Sequence, residues 1–110
     1  MNHVRKFGAA MLLCALGLFG QSDNSTISGV VKDPSGAVVS NAKVTLRNED
    51  TNFERQTTSN DSGFYTVPNI PPGFYTVSVE ASGFKKTTST RNKLDAGLPL
   101  QVNIELSVGQ

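Results

Sequence analysis

The chain has 110 residues, enough for one domain, with 37% hydrophobic and 17% charged residues and a formal charge of +1. A near-neutral balance of this kind excludes a nucleic-acid surface, which calls for a strong basic excess. The single Cys and single His fall at Cys14 and His3, so neither a disulfide framework nor a His/Cys metal centre is available to the rest of the chain.

The first element in chain order is an export signal, expected over residues 1–22. Arg5 and Lys6 form a basic start, and Phe7 to Gly20 is an apolar, uncharged run. That run is the length of a signal-peptide h-region and short for a bilayer span. Cleavage is expected after Gly20 or Ser22. Leu13 precedes Cys14 where a lipid-attachment site would have a small residue, so Cys14 reads as one more apolar position. Beyond the signal, eight basic residues face nine acidic ones, a formal charge of −1.

The sandwich domain is expected over residues 23–110. From Thr26 onward apolar residues recur with period two. Ile27 and Val31 share a face, as do Val44 and Leu46. Tyr75, Val77, Val79 and Ala81 form a third set. Leu98, Leu100, Val102, Ile104 and Leu106 form the last. Alternation places one set inside and the other in water, the mark of strands with a single buried face. No window after the signal carries a helical period.

Turn signals separate these runs. Asp33-Pro34-Ser35-Gly36 suits a type I turn, and Asn60-Asp61-Ser62-Gly63 a second tight turn. Pro71-Pro72-Gly73-Phe74 suits a type II turn with Gly73 left-handed. Ser82-Gly83 reads as a hairpin loop and Lys93 to Gly97 as a longer one. Short strands at this spacing predict an all-β, about seven-stranded antiparallel sandwich.

Gly-Phe-Tyr-Thr-Val occurs twice, at 63–67 and 73–77. Each copy opens a strand after a turn glycine. Tyr65 and Val67 in one, and Tyr75 and Val77 in the other, are expected to point inward at equivalent places in the core. The intervening Pro-Asn-Ile-Pro-Pro ends the first strand, because proline lacks the N–H a central ladder needs. Ile70 is expected to close the end of the core.

Several stretches in order resemble the carboxypeptidase regulatory-like domain, a transthyretin- or prealbumin-like sandwich. They are Ile27 to Val39, Asn41 to Leu46, Thr58 to Tyr65, Ile70 to Val79, and Ala81 to Phe84. The resemblance implies a non-catalytic module. It also implies kinship with the domain found ahead of the plug and barrel of TonB-dependent outer-membrane receptors. The expected protein is a truncated or free-standing version of that domain, sited in the periplasm or at the outer membrane or cell surface. Its expected partner is a cell-envelope protein or a plug and barrel domain, and it meets the membrane only through its signal peptide. Starch-binding-like relatives of the fold make carbohydrate binding the alternative.

No catalytic, cofactor or metal residues are expected. Without histidine there is no base for a serine nucleophile. Asp61 reads as a turn residue, and Glu49, Asp50 and Glu54 as a solvated hairpin. Lys85 and Lys86 read as wet residues of a polar edge. Phe64 and Phe74 fall on the face opposite Tyr65 and Tyr75. They are the expected ligand or partner contacts, either exposed together or with at least one of the two rings packed under a loop.

Overall fold

A computed structural model describes residues 23–109. The signal-peptide expectation for residues 1–22, Cys14 included, and Gln110 lie outside the described residues. Within them are eight strands: β1 (Ser25–Lys32), β2 (Lys43–Asn48), β3 (Glu54–Thr58), β4 (Phe64–Ile70), β5 (Gly73–Glu80), β6 (Thr87–Leu94), β7 (Leu100–Gln101) and β8 (Ile104–Glu105). They form two sheets. One has β1 between β4 and the β7/β8 pair, and the other has the order β3-β2-β5-β6.

The period-two pattern is the cause of this layering. Ile27, Gly29 and Val31 are buried along β1, as are Val44 and Leu46 along β2 and Tyr65 and Val67 along β4. With Tyr75, Val77 and Val79 of β5 and Val102, Ile104 and Leu106 near the C-terminus, they form one continuous core between the sheets. Removing each such side chain from water contributes on the order of 1.5–3 kcal/mol. The two Gly-Phe-Tyr-Thr-Val copies supply the same inward pair to opposite sheets, Tyr65 and Val67 from one and Tyr75 and Val77 from the other. Ile70 closes the core fully buried.

Three expectations change in detail. The run from Leu98 to Leu106 is not one strand but two short ones, interrupted at Val102 and Asn103. It pairs with β1 in parallel, because the chain changes sheet at the end of the sandwich where β1 begins. At the interruption the Asn103 Oδ1 accepts the Val30 N–H at 3.0 Å, so a side chain stands in for a ladder carbonyl. Leu98 lies in the preceding turn, held by its N–H to the Asp95 carbonyl, and is 61% exposed rather than buried.

The Pro71-Pro72-Gly73 bend is also built differently. Asn69 takes the left-handed conformation, at φ 58°, while Gly73 opens β5 at φ 150°. Four residues of β4, from Val67 to Ile70, span the distance of three in β1, from Ile27 to Ser25. A β-bulge at Pro68 and Asn69 thus precedes the bend, on an edge strand where the missing proline N–H is tolerated. Gly73 is needed for space, since a Cβ there would meet the Asn48 Nδ2 at 2.8 Å.

The turns at Asp33–Gly36 and Asn60–Gly63 form as expected. Gly36 donates to the Asp33 carbonyl at 3.0 Å and Gly63 to the Asn60 carbonyl at 2.8 Å. The edge strand β3 is polar on both faces. Its Arg55 sits opposite Leu46 on the core side, which discourages further strand pairing at that edge.

Candidate functional site

The sandwich has two loop ends. At one end lie Asp23, the loops at 49–53 and 95–99, and the bend after Ile70. At the other lie the loop from Asp33 to Ala42, the Asn60–Gly63 turn, the Ala81–Lys86 loop and the C-terminal tail. The register fixes this assignment: β1 and β7/β8 run the same way, and Lys32 pairs with Glu105 at the second end.

Phe64 and Phe74 are not brought together. Phe64 lies on the outer face of the β4/β1 sheet, 41% exposed and opposite Val30 in register. Phe74 lies on the outer face of the other sheet, half-buried. The Arg91 guanidinium sits 4.2 Å from its ring centroid, so this ring face is already covered by a cation–π contact. Alternation along each strand was legible, but which sheet each strand joins was not.

Arg91 belongs to a cluster that the sequence did not reveal. Between Tyr75 and Val77 of β5 the edge strand β6 carries one extra residue. Arg91 adopts φ 59° there, an uncommon conformation for a long side chain. The Asn92 amide fills the bulge by donating to the Tyr75 and Ser89 carbonyls, each at 3.0 Å. The Arg91 N–H reaches the Glu49 carboxylate at 2.7 Å, and Thr76 Oγ1 donates to the same oxygen at 3.0 Å. Its guanidinium lies 3.8 Å from the other oxygen. The backbone bond from Arg91, then the Thr76 hydroxyl and the nearby Arg91 and Arg47 charges, hold the Glu49 carboxyl below the usual glutamate range. Glu49, expected as a solvated hairpin residue, is instead the polar pin of this bulge and leaves Thr76 buried beneath it.

The second loop end carries the open surface. The loop from Asp33 is rigid for a local reason. The Asp33 Oδ1 accepts from Ser35 Oγ at 2.7 Å and from the Ser35 and Ala37 amides at 2.9 and 3.0 Å. These bonds, the Ser35 hydroxyl first, lower its carboxyl below the ordinary aspartate value. Ser59 ties down the far side of the loop, donating to the Val39 carbonyl at 2.7 Å and accepting from the Ala42 amide at 3.0 Å. Val38, 46% exposed, stands over the next turn, since a Cβ on Gly63 would meet the Val38 Cβ at 2.8 Å.

Grooves run around this end. One of about 370 Å³ lies outside the β1/β8 pair, between Lys32, Pro34, Asn103 and Glu105. Another of about 370 Å³ separates Val38 and Val39 from Ala81 and Phe84. It shares Asn41, Ala81 and Phe84 with a groove of about 550 Å³ bordered by Lys43, Glu80 and Lys86. The tail then crosses over: Lys85 donates to the Ser107 carbonyl at 2.8 Å and Gly109 to the Gly83 carbonyl at 3.0 Å. Val108 pairs with Phe84 there and is 64% exposed. Apolar side chains beside balanced charges recognise by shape and desolvation. Among the described residues no group of three or more His, Cys, Asp or Glu side chains gathers as a metal site.

Comparison with known proteins agrees with this architecture. The model of the carboxypeptidase regulatory-like domain family matches residues 26–107. The TonB-dependent transporter Oar of Myxococcus xanthus is 33% identical over 99 residues, which cover 89% of this chain and 9% of the transporter. The chain therefore spans about a tenth of the length of that relative. Among solved structures, the Bacillus anthracis TIE protein aligns with a TM-score of 0.67 at 18% identity, over 78% of this chain and 17% of that one. Catechol 1,2-dioxygenase of Acinetobacter radioresistens aligns with a TM-score of 0.62 at 15% identity, over 82% and 53%. At these identities the two structures share the fold alone.

Proposed function

The chain belongs to the carboxypeptidase regulatory-like domain family, and from that premise we propose that it is an exported, non-catalytic interaction module that serves a TonB-dependent transporter in the cell envelope. The observation that carries the reading is the 33% identity to a TonB-dependent transporter across 89% of this chain. Two further features support it. The basic and apolar stretches before Gln21 have the order of an export signal. The open surface consists of apolar and charged side chains suited to protein contact, with no histidine beyond His3 to activate a hydroxyl.

The test is expression of the C-terminally tagged full chain in a Gram-negative host, followed by cell fractionation and intact-mass analysis. The expected product is found in the envelope fraction and lacks its first 20 to 22 residues. A cytoplasmic product that keeps Met1 overturns the export reading. Hydrolysis of a peptide or glycan panel by the purified chain overturns the non-catalytic one.

Carbohydrate binding is the second reading, and it rests on Phe64, whose ring is the exposed one of the two expected contacts. It requires glycan-array binding that Phe64→Ala removes. Binding that survives that change would place any sugar site elsewhere.

A further inference from the structure

We propose that this chain pairs with a second copy of itself along the free edge of β3, in one symmetric antiparallel register centred on Gln56.

The first support is a comparison of the sheet edges. One sheet ends at β4 and at β7/β8, the other at β3 and at β6. An open edge accepts another strand unless something blocks it. Pro68 and the bulge beside it block β4. An extra residue at Arg91 breaks β6, which also carries Lys93. At the remaining edge β7 and β8 are each only 2 residues long, with an interruption between them. Among these edges β3 alone keeps an unbroken register with its neighbour, and its Glu-Arg-Gln-Thr-Thr holds no proline, glycine or lysine.

The second support is the direction of the β3 backbone. At its two ends Phe53 accepts from the Asn48 amide and Ser59 donates to the Ala42 carbonyl. Bonded and non-bonded positions alternate along an antiparallel pair. The N–H and carbonyl groups of Glu54, Gln56 and Thr58 therefore point away from β2. Centring two copies on Gln56 sets Gln56 against Gln56 and Glu54 against Thr58, so each of these outward groups finds a partner. Centring on Arg55 or on Thr57 leaves those of Thr58 or of Glu54 without one.

The third support is charge. Arg55, whose inward charge deters pairing here, also selects the register. Centring on Arg55 would oppose two guanidiniums, and like charges directly opposite destabilise a pair. Centring on Gln56 sets Arg55 against Thr57, with its guanidinium kept 5.2 Å over the ring of Phe53. On the outer face Glu54 lies beside Arg47, and Thr58 beside Lys43. The same register brings Lys43 of one copy past Thr58 to Glu54 of the other, and two-fold symmetry repeats the contact. Neither Lys43 nor Glu54 forms an ion pair among the described residues.

The test is sedimentation equilibrium of the C-terminally tagged full chain, purified as its host processes it. The contact is small, so a monomer–dimer equilibrium is expected with a dissociation constant on the order of 0.1–1 mM. Gln56→Pro deletes an outward N–H and spares the bonds to β2. It is expected to weaken the dimer about tenfold or more, with the melting temperature of the dilute chain unchanged. Glu54→Lys and Lys43→Glu each set like charges against each other and are each expected to weaken it as well. An equimolar mixture of those two variants brings opposite charges together at both contacts and is expected to restore the dimer. With Cys14→Ser, Gln56→Cys is expected to oxidise to a disulfide-linked dimer, since residues opposite each other in a bonded pair have Cα atoms about 5.5 Å apart. Thr58→Cys is expected not to link. A chain that stays monomeric to about 1 mM overturns the proposal. So does a dimer indifferent to Gln56→Pro, which would place the contact on another surface. A mixture of the charge variants that associates no better than either alone overturns it too, and that mixture decides the matter if Gln56→Pro fails to fold.

Discussion

The hydroxyl of Tyr65 donates to the carbonyl of Val102 at 2.5 Å, joining an edge strand to the interruption of the C-terminal run across the backbone of Gly29. Burial raises the phenol's pKa far above its ordinary value, so the donor keeps its proton at neutral pH. Tyr65→Phe leaves the Val102 carbonyl without this partner in a buried place. The expected cost is about 1–3 kcal/mol, read from the denaturant midpoint. Tyr75→Phe removes a similar bond to the Pro71 carbonyl at a part-buried site and is expected to cost less, because water can replace it. Equal midpoints for Tyr65→Phe and the natural chain would sink this account.

Gly29 lies beneath that hydrogen bond. A Cβ there would stand 1.8 Å from the Val102 oxygen and 2.9 Å from the Tyr65 ring. The oxygen is backbone and cannot swing aside, so Gly29→Ala must push β1 away from the C-terminal run. A loss of about 3 kcal/mol or more is expected. Gly36→Ala meets no atom within 4 Å and loses only backbone comfort at positive φ, so it is the milder change. Thermal melts of the two variants decide the order.

Glu49 makes stability depend on pH in a defined sense. Its bonds favour the carboxylate, so its folded value lies below its unfolded one. The contribution is complete above the ordinary glutamate value of about 4.3 and is lost as pH falls through the depressed folded value. Glu49→Gln is therefore expected to flatten part of the acid limb of a melting-temperature profile from about pH 5 downward, through the depressed folded value. Asp33, lowered in the same direction, supplies part of the remaining slope. Superimposable acid limbs would show that the bulge does not depend on the charge.

The bulge itself separates two neighbouring residues. Asn92→Ala removes the amide that satisfies the Tyr75 and Ser89 carbonyls and is expected to cost about 1–2 kcal/mol. Arg91→Gly loses the contact over Phe74 but relieves a side chain held at φ 59°. The two effects oppose, and the net change is expected within about 1 kcal/mol of zero. A larger loss for Arg91→Gly than for Asn92→Ala would reverse the assignment of which residue holds the bulge.

What the sequence disclosed follows from the range of its signals. Alternation and turn chemistry are local, and they placed Ile27, Val44, Tyr65 and Tyr75 in the core and a turn at Asn60–Gly63. The direction of the last run was hidden, because Leu100 and Ile104 alternate identically beside a parallel or an antiparallel neighbour. Leu98 continued the alternation on paper, but the turn from Asp95 claims it first. Phe64 and Phe74 looked equivalent because their local words are identical, yet ten residues carry the chain from one sheet to the other. The Glu49–Arg91 contact joins residues 42 positions apart and has no pattern in the primary structure. The groove at the tail end likewise exists only once Val38, Phe84 and Val108 have been assembled from three separate segments.

The parallel alignment of β1 with β7 and β8 has a mechanical consequence. The chain enters at one end of β1 and leaves beyond β8 at the opposite end, so tension applied through the two termini runs along these neighbouring strands. The bonds from Val102 to the Ser28 carbonyl, from Val30 to Asn103, and from Leu106 to the Lys32 carbonyl then carry the load together in shear. They do not open one after another as in a peeled hairpin. A module loaded in this way resists extension until several bonds fail at once. Pulling on residues 23 and 109 should therefore give a single high-force rupture, and Asn103→Ala should lower its force.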